Sequence, residues 1–279
     1  MVDSPLAGLT PPLDGKPLRW SVGTRPIPLS QWLSIDQSRH RTMQAKDAVL
    51  GHSLDQSVIT TPAGSDASGA LLPTVCDHLT AWHNHNFTIT DDEAVDLESG
   101  RRTAINRTTP LETLARMMPQ DFCVLTPSGS TWHLTAATVC FTSRWNLESK
   151  MGLSISEIHQ PVPGYEQRVA RAVDRVIARL SDDLVLRRSN WTLLNTAELH
   201  LREPAHATVP VDDIDALTWL RIEHQTLRRF TNPAALIFTI DTRVHHVDEL
   251  PEADRQRLRG AVRGAPADIA AYKAWPHSV

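Results

Sequence analysis

The sequence predicts an α+β fold, helices around a small antiparallel sheet, on three observations. A helical apolar period recurs in several segments, a hairpin pattern lies near mid-chain, and neither βαβ alternation nor a glycine-rich phosphate loop is present. A dinucleotide fold is disfavoured, so any nicotinamide cofactor is expected to act through another subunit.

Residues 1–17 are rich in Pro and Gly with little apolar period and predict an irregular surface arm, leaving residues 18–279 as one unit. Arg19 to Ile35, with Trp20, Trp32 and the rigid Arg25-Pro26-Ile27-Pro28, predicts an extended piece and a short helix. Small residues from Ala63 to Gly69 predict a loop, and Leu71 to Trp82 a helix. Asp121 to Pro127 alternates around Phe122, Val124 and Leu125, Ser128-Gly129 supplies a turn, and Trp132 to Phe141 completes a hairpin.

After Tyr165, Val169, Val173, Val176, Ile177 and Leu180 repeat on one helical face between charged residues. Pro161-Val162-Pro163-Gly164 fixes the entry to that helix and places His159 in a stiff connection. Leu217 to Arg229, dense in Arg, predicts a second helix, Thr231-Asn232-Pro233 a turn, and Ala234 to Ile240 a central strand. Pro251 to Trp275 predicts one or two C-terminal helices, with Glu252 and Asp254 favouring the N-terminal dipole.

A chain of 279 residues that is 41% hydrophobic can bury one large core or two modest ones, and one is favoured. Its formal charge of -4 argues against nucleic acid or an anionic membrane as the main partner. No run approaches the roughly 20 apolar residues of a membrane span, and Met1-Val2-Asp3-Ser4-Pro5 lacks the features of a secretory signal, so a cytoplasmic location is expected. Cys76, Cys123 and Cys140 form no C-x-x-C pair and read as reduced, buried structural thiols.

Several chemical leads are weak. Cys76, His78, His83 and His85 are metal-ligand types close in sequence, but their spacing matches no zinc module, and on a helix Cys76 and His78 point about 200° apart. A polar helix end is the preferred reading there. His245-His246 reads as a pair in a strand-exit loop, and the lack of a G-x-S-x-G elbow disfavours a hydrolase. The richer region runs from 140 to 191, where Arg144, Trp145, Lys150, His159, Tyr165, Arg188 and Trp191 gather cations, aromatics and one constrained histidine. Such a mix suits a flat apolar cofactor with carboxylate edges: Trp and Tyr cover its face, Arg and Lys pair with propionates, and imidazole donates to iron. On residue types alone, a histidine that bonds a carbonyl near a helix start is the preferred reading of His159, with a metal or haem ligand as the alternative.

The segments CFTSRW (140–145), IHQPVPGY (158–165), RRSNW (187–191), LRIEHQTLRRF (220–230) and AALIFTIDT (234–242), with a looser match near Arg19 to Leu33, resemble the haem-dependent oxidative N-demethylase alpha-subunit-like family. The resemblance spans roughly residues 18 to 245. It implies a PAS-like fold holding haem b, and removal of a methyl group from a small secondary amine such as dimethylamine, with release of formaldehyde. Oxygen would be the oxidant, and electrons would come from NADPH through a separate flavin and iron-sulfur reductase subunit.

Carried over residue by residue, the resemblance implies His159 as iron ligand. Arg144, Lys150 and Arg188 fall to the propionates, with surface ion pairs the alternative for the first two. Trp145, Tyr165 and Trp191 are aromatics of the pocket or of the core. Glu223 is the group for a cationic amine, supported by Arg228 and Arg229, or else a helix carboxylate paired with an arginine. His224 for the usual arginine, Thr142 for a proline, Phe230-Thr231 for Leu-Pro and Asp241-Thr242-Arg243 for Arg-Thr-Tyr depart from the family pattern near the expected substrate side. These departures leave a non-catalytic PAS-like sensor of haem, gas or a small ligand as the second reading.

Overall fold

The computed structural model describes residues 6, 9–10, 13, 18–201 and 214–276. Its N-terminal half contains β1 (Leu9–Thr10), β2 (Arg25–Ile27), α1 (Arg39–Ser57), β3 (Val58–Thr60), α2 (Ser65–Trp82), β4 (Phe87–Ile89), β5 (Glu93–Asp96), β6 (Arg102–Ala104), α3 (Pro110–Met117), β7 (Asp121–Ser128) and β8 (Thr131–Thr138). The rest holds α4 (Ile155–Ile158), α5 (Arg171–Ala178), β9 (Val185–Leu194), β10 (Trp219–Phe230), β11 (Ala235–His246), α6 (Glu252–Arg263) and α7 (Ala267–Lys273).

The large sheet runs β1-β9-β10-β11-β7-β8-β3, with β2 also on β9. Its five long strands are antiparallel: the β7–β8 hairpin, a helical excursion, then a three-strand meander whose last strand slots in beside β7. The order β8-β7-β11-β10-β9 is that of a PAS-like sheet, and helices flank it, as the sequence predicts. Most of the expected arm, residues 1–17, lies outside the described residues. Leu9–Thr10 pairs in parallel with β9, and Leu6 and Leu9 are buried.

Directly paired residues share a face of the sheet, so the register sorts the polar side chains into two sets. Arg188 and Asn190 of β9, Arg221, Glu223 and Gln225 of β10, and Thr242 of β11 lie on the near face. Arg187, Ser189, His224, Asp241 and Arg243 lie on the far face. The near face packs against α4 and α5 through Cys123, Leu125, Leu236, Ile155, Ile158 and Ile177. The far face is covered at one end by α2 and α3 with Trp32, and at the other by α6 and α7 around Trp191, Leu220, Ile222 and Trp275. Each fully buried Leu, Ile or Phe contributes roughly 1.5–3 kcal/mol to holding these layers together.

Four elements differ from expectation. Leu217 to Arg229 is a strand, not a helix: β10 is central, so its alternate residues Leu220, Ile222 and Thr226 face one layer while Arg221, Glu223 and Gln225 face the other. Ala63 to Gly69 is not a loop but a 3-10 turn leading into the first turn of α2; a Cβ on Gly64 would lie 2.6 Å from the Thr135 carbonyl, so only glycine permits this approach to β8. The long helix α1 carries no apolar period because its buried face is largely polar: Arg39 pairs with Asp96, and Lys46 with Asp121. His245 and His246 end β11 and do not lie in a loop. Cys123 and Cys140 are buried, with thiols pushed up to about 12 by burial, as inert structural cysteines should be. Among the described residues no helix is long and apolar enough to cross a membrane.

Candidate functional site

The near face of the sheet packs against α4, and this short helix is anchored at both ends. At its start Ser154 and Glu157 form a reciprocal capping box: Ser154 N–H donates to the Glu157 carboxylate at 2.7 Å, and Glu157 N–H to Ser154 Oγ at 3.3 Å. Backbone bonds from Leu134 to Leu153 and from Gly152 to Leu134 tie the preceding turn to β8. His159 is the C-cap residue. Its Nδ1 lies 2.8 Å from the Ile155 carbonyl, which can only accept, so Nδ1 carries the proton and the neutral ring presents its lone pair at Nε2.

The His159 ring is solvent-accessible, yet desolvation holds its pKa below the usual value, with the charges of Arg188 and Lys150 acting in the same direction. Behind it the chain turns through Gly164 at φ +67, which brings Tyr165 parallel to the imidazole with centroids 4.8 Å apart and planes 9° apart. Burial pushes the Tyr165 phenol up to about 12, so it stays protonated.

Arg188, whose charge acts on His159, belongs to the near-face residues of β9 and β10. Glu223 is held by its neighbours: Arg221 donates at 3.1 Å, Gln225 at 3.1 Å and Asn190 at 3.4 Å. Arg221, only 1% exposed, also donates to the carbonyls of Leu199 and Phe141 and thereby fixes the carboxylate's support. Burial lowers the pKa of Arg188, with Glu223 opposing, and its buried Nε has no partner.

Sequence reasoning missed Tyr272 and Lys273, which α7 delivers to the same region. Tyr272 packs edge-on against Trp20, and burial raises its phenol pKa, with Glu223 adding and Arg144 and Arg188 opposing. Lys273 is buried among Trp20, Trp191 and Trp275 at 5.4–5.9 Å and donates to the Trp191 carbonyl at 2.6 Å. Desolvation lowers its pKa to about 7, with Glu223 opposing. Arg144, at φ 63, donates to the Lys273 carbonyl at 3.0 Å. The one signal in the sequence was the Ala-Tyr-Lys-Ala-Trp run at the chain end, which gives no hint that Trp20 and β9 complete its surroundings.

Residues 23–278 match the model of the family described as haem-dependent oxidative N-demethylase, alpha subunit-like. The chain belongs to this family. Membership makes it a haem-dependent oxidoreductase by family, with haem as the cofactor to be accommodated.

The residues of this N-demethylase-like chain fit such a group. An imidazole with Nδ1 committed to a carbonyl is the tautomer that donates to a metal, and a backbone acceptor behind it is the usual way to orient a ligating histidine. Arg188, unpartnered at Nε, supplies a guanidinium for a carboxylate, and Lys150, half-buried near His159, makes no ion pair among the described residues. Trp145 packs in the near-face cluster, whereas Trp191 belongs to the core beneath α6 and α7.

Two corrections concern Glu223 and its expected supporters. Glu223 lies on a strand and is half-buried, not on an exposed helix face. Arg228 points to the far face over Trp32, and Arg229 stacks on Trp132, so Arg221 is the arginine that holds the carboxylate. Cys76, His78, His83 and His85 do not converge as a metal set among the described residues; His78 and His83 lie ring to ring, with His78 edge-on to Trp32. A surface depression lined by Gln37, Arg39, His40, Asp96, Glu98 and Ser99 shares no residue with the near-face cluster.

Proposed function

We propose that this chain is an oxidative N-demethylase that holds haem b on the near face and acts on a small secondary amine of the dimethylamine type. Formaldehyde is the released product, and a separate NADPH-dependent flavin and iron-sulfur reductase subunit supplies electrons. The observation that carries the reading is the combination of His159, with its lone pair set at Nε2, and the unpartnered Arg188 beside it.

When bound, haem supplies the oxygen chemistry that oxidises the N-methyl carbon. His159 holds the iron, with Tyr165 stacked on the ring to keep its orientation. Arg188, Arg144 and Lys150 take the propionates, and Trp145 flanks the pocket. Glu223 is an acceptor pre-positioned by Arg221, Gln225 and Asn190, and it receives the N–H of the amine. Trp20, Tyr165 and Tyr272 supply aromatic surface next to these groups that would keep water from the reacting amine.

The test is formaldehyde release from dimethylamine with NADPH and the reductase subunit. Glu223→Gln keeps the shape but loses the charge, and its kcat/KM is expected to fall by about ten- to a hundredfold with haem content unchanged. A haem-loaded protein that yields no formaldehyde from any small methylamine would transfer the chain to the sensor reading.

A further inference from the structure

The far face carries a second polar cluster that the demethylase reading does not use. Arg187 and Ser189 of β9, His224 of β10, and Asp241 and Arg243 of β11 are neighbours there, and Arg25 of β2 pairs directly with Arg187. Two arginines at directly opposed positions of a strand pair repel each other, which destabilises the pair unless an anion lies between them.

The cluster's carboxylates do not supply that anion. Arg243 occupies both of them, bonding Asp241 at 2.6 Å and Asp36 at 2.6 Å. Arg187 has one hydrogen bond among the described residues, to the Gln31 carbonyl at 2.5 Å, and its Nε is buried without a partner. Burial lowers its pKa, and the charges of Arg25 and Arg243 lower it further, with Asp241 opposing. Among the described residues it is a partly buried cation that forms no ion pair, with Asp241 acting on it only at longer range.

His224 lies next to it with a neutral ring. Its Nδ1 lies 2.8 Å from Ser189 Oγ, and the other ring nitrogen makes no hydrogen bond among the described residues. Desolvation lowers its pKa to about 4, with Arg243, Arg187 and His245 adding and Asp241 opposing, so the ring is neutral at pH 7. A Ser189 hydroxyl that donates to Nδ1 leaves the proton on Nε2, the tautomer that a bound oxyanion would select. The set of Ser189, His224 and Asp241 is no hydrolytic triad: Ser189 is buried in mid-strand, and Asp241 is engaged by Arg243.

We propose that Arg187, Arg25 and His224 form an oxyanion-binding site, for phosphate or a carboxylate, on the face of the sheet opposite the candidate haem pocket. The two guanidinium groups provide paired N–H donors and charge, and His224 adds a neutral donor. The site does not depend on haem, because its residues alternate along β9 and β10 with those of the near face.

The experiment is titration of the full-length purified protein with inorganic phosphate and, separately, with acetate, at fixed ionic strength, read by calorimetry and by thermal shift. Saturable binding of either anion is expected, with phosphate the preferred ligand if a dianion is recognised and acetate if a carboxylate is. Arg187→Gln should weaken that binding by about tenfold or more, Arg25→Gln should weaken it as well, and Arg102→Gln, which alters an exposed arginine of β6 paired with Glu93, should leave it unchanged. Absence of saturable binding to the wild type, or full binding by Arg187→Gln or by Arg25→Gln, overturns the proposal. If Arg187→Gln does not fold, Arg25→Gln alone decides.

Discussion

At the scale of single residues, the candidate site and the core beside it gather groups whose ordinary ionisation is altered by low hydration. Lys273 shows the sign most clearly. Its folded pKa of about 7 lies below the ordinary 10.5, so between those values the unfolded chain binds a proton that the folded chain does not. Its contribution therefore makes stability rise as pH climbs from about 7 to about 10.5. Lys273→Met removes that slope, and denaturant melts of the two proteins across this range should converge in slope at the ends and differ between them. His159 was legible because Pro161 to Gly164 stiffen the chain beside it, and Tyr165 because it closes the same motif. Tyr272 was not, since its role rests on Trp20, Arg144 and Glu223, from three distant parts of the chain.

At the scale of elements, the hairpin, the C-terminal helices and the helix after Tyr165 followed from apolar period and turn residues. β9 and β10 did not, because central strands buried on both faces show no simple alternation once polar groups face both layers. The same double burial lets one strand present Arg188 to one site and Arg187 to another. Turn geometry supplies the prediction at this scale. Gly164 sits at φ +67, so Gly164→Ala forces a left-handed alanine at a cost of about 1–2 kcal/mol, and its Cβ meets the Arg168 side chain at 3.0 Å. Urea melts should show that loss, and haem affinity should drop as Tyr165 shifts from His159; unchanged affinity would separate the turn from the pocket.

At the scale of the molecule, α1 is fastened to the sheet by a salt bridge in the interior. Lys46 and Asp121 meet at 2.9 Å with side chains 0% and 1% exposed, and Lys46 also donates to the Met118 and Gln120 carbonyls. Lys46→Met leaves Asp121 charged and unpaired, and a loss of about 3–5 kcal/mol in global stability is expected from equilibrium denaturation. The family departures also take on a new position. His224 and Asp241 are register partners and lie with Arg243 on the far face at the proposed oxyanion site, whereas Thr242 pairs directly with Glu223 on the near face. Composition and motifs identified the family; the separation of these two faces needed the strand register.

The measurement that tests the central claim most directly is the visible spectrum of the purified protein, oxidised and dithionite-reduced, with haem quantified as the pyridine haemochrome, for the wild type and His159→Ala. Near-stoichiometric haem b in the wild type and its loss from a folded His159→Ala protein is the predicted result. A wild-type protein that stays colourless after incubation with haemin, or a variant that retains full haem, contradicts it.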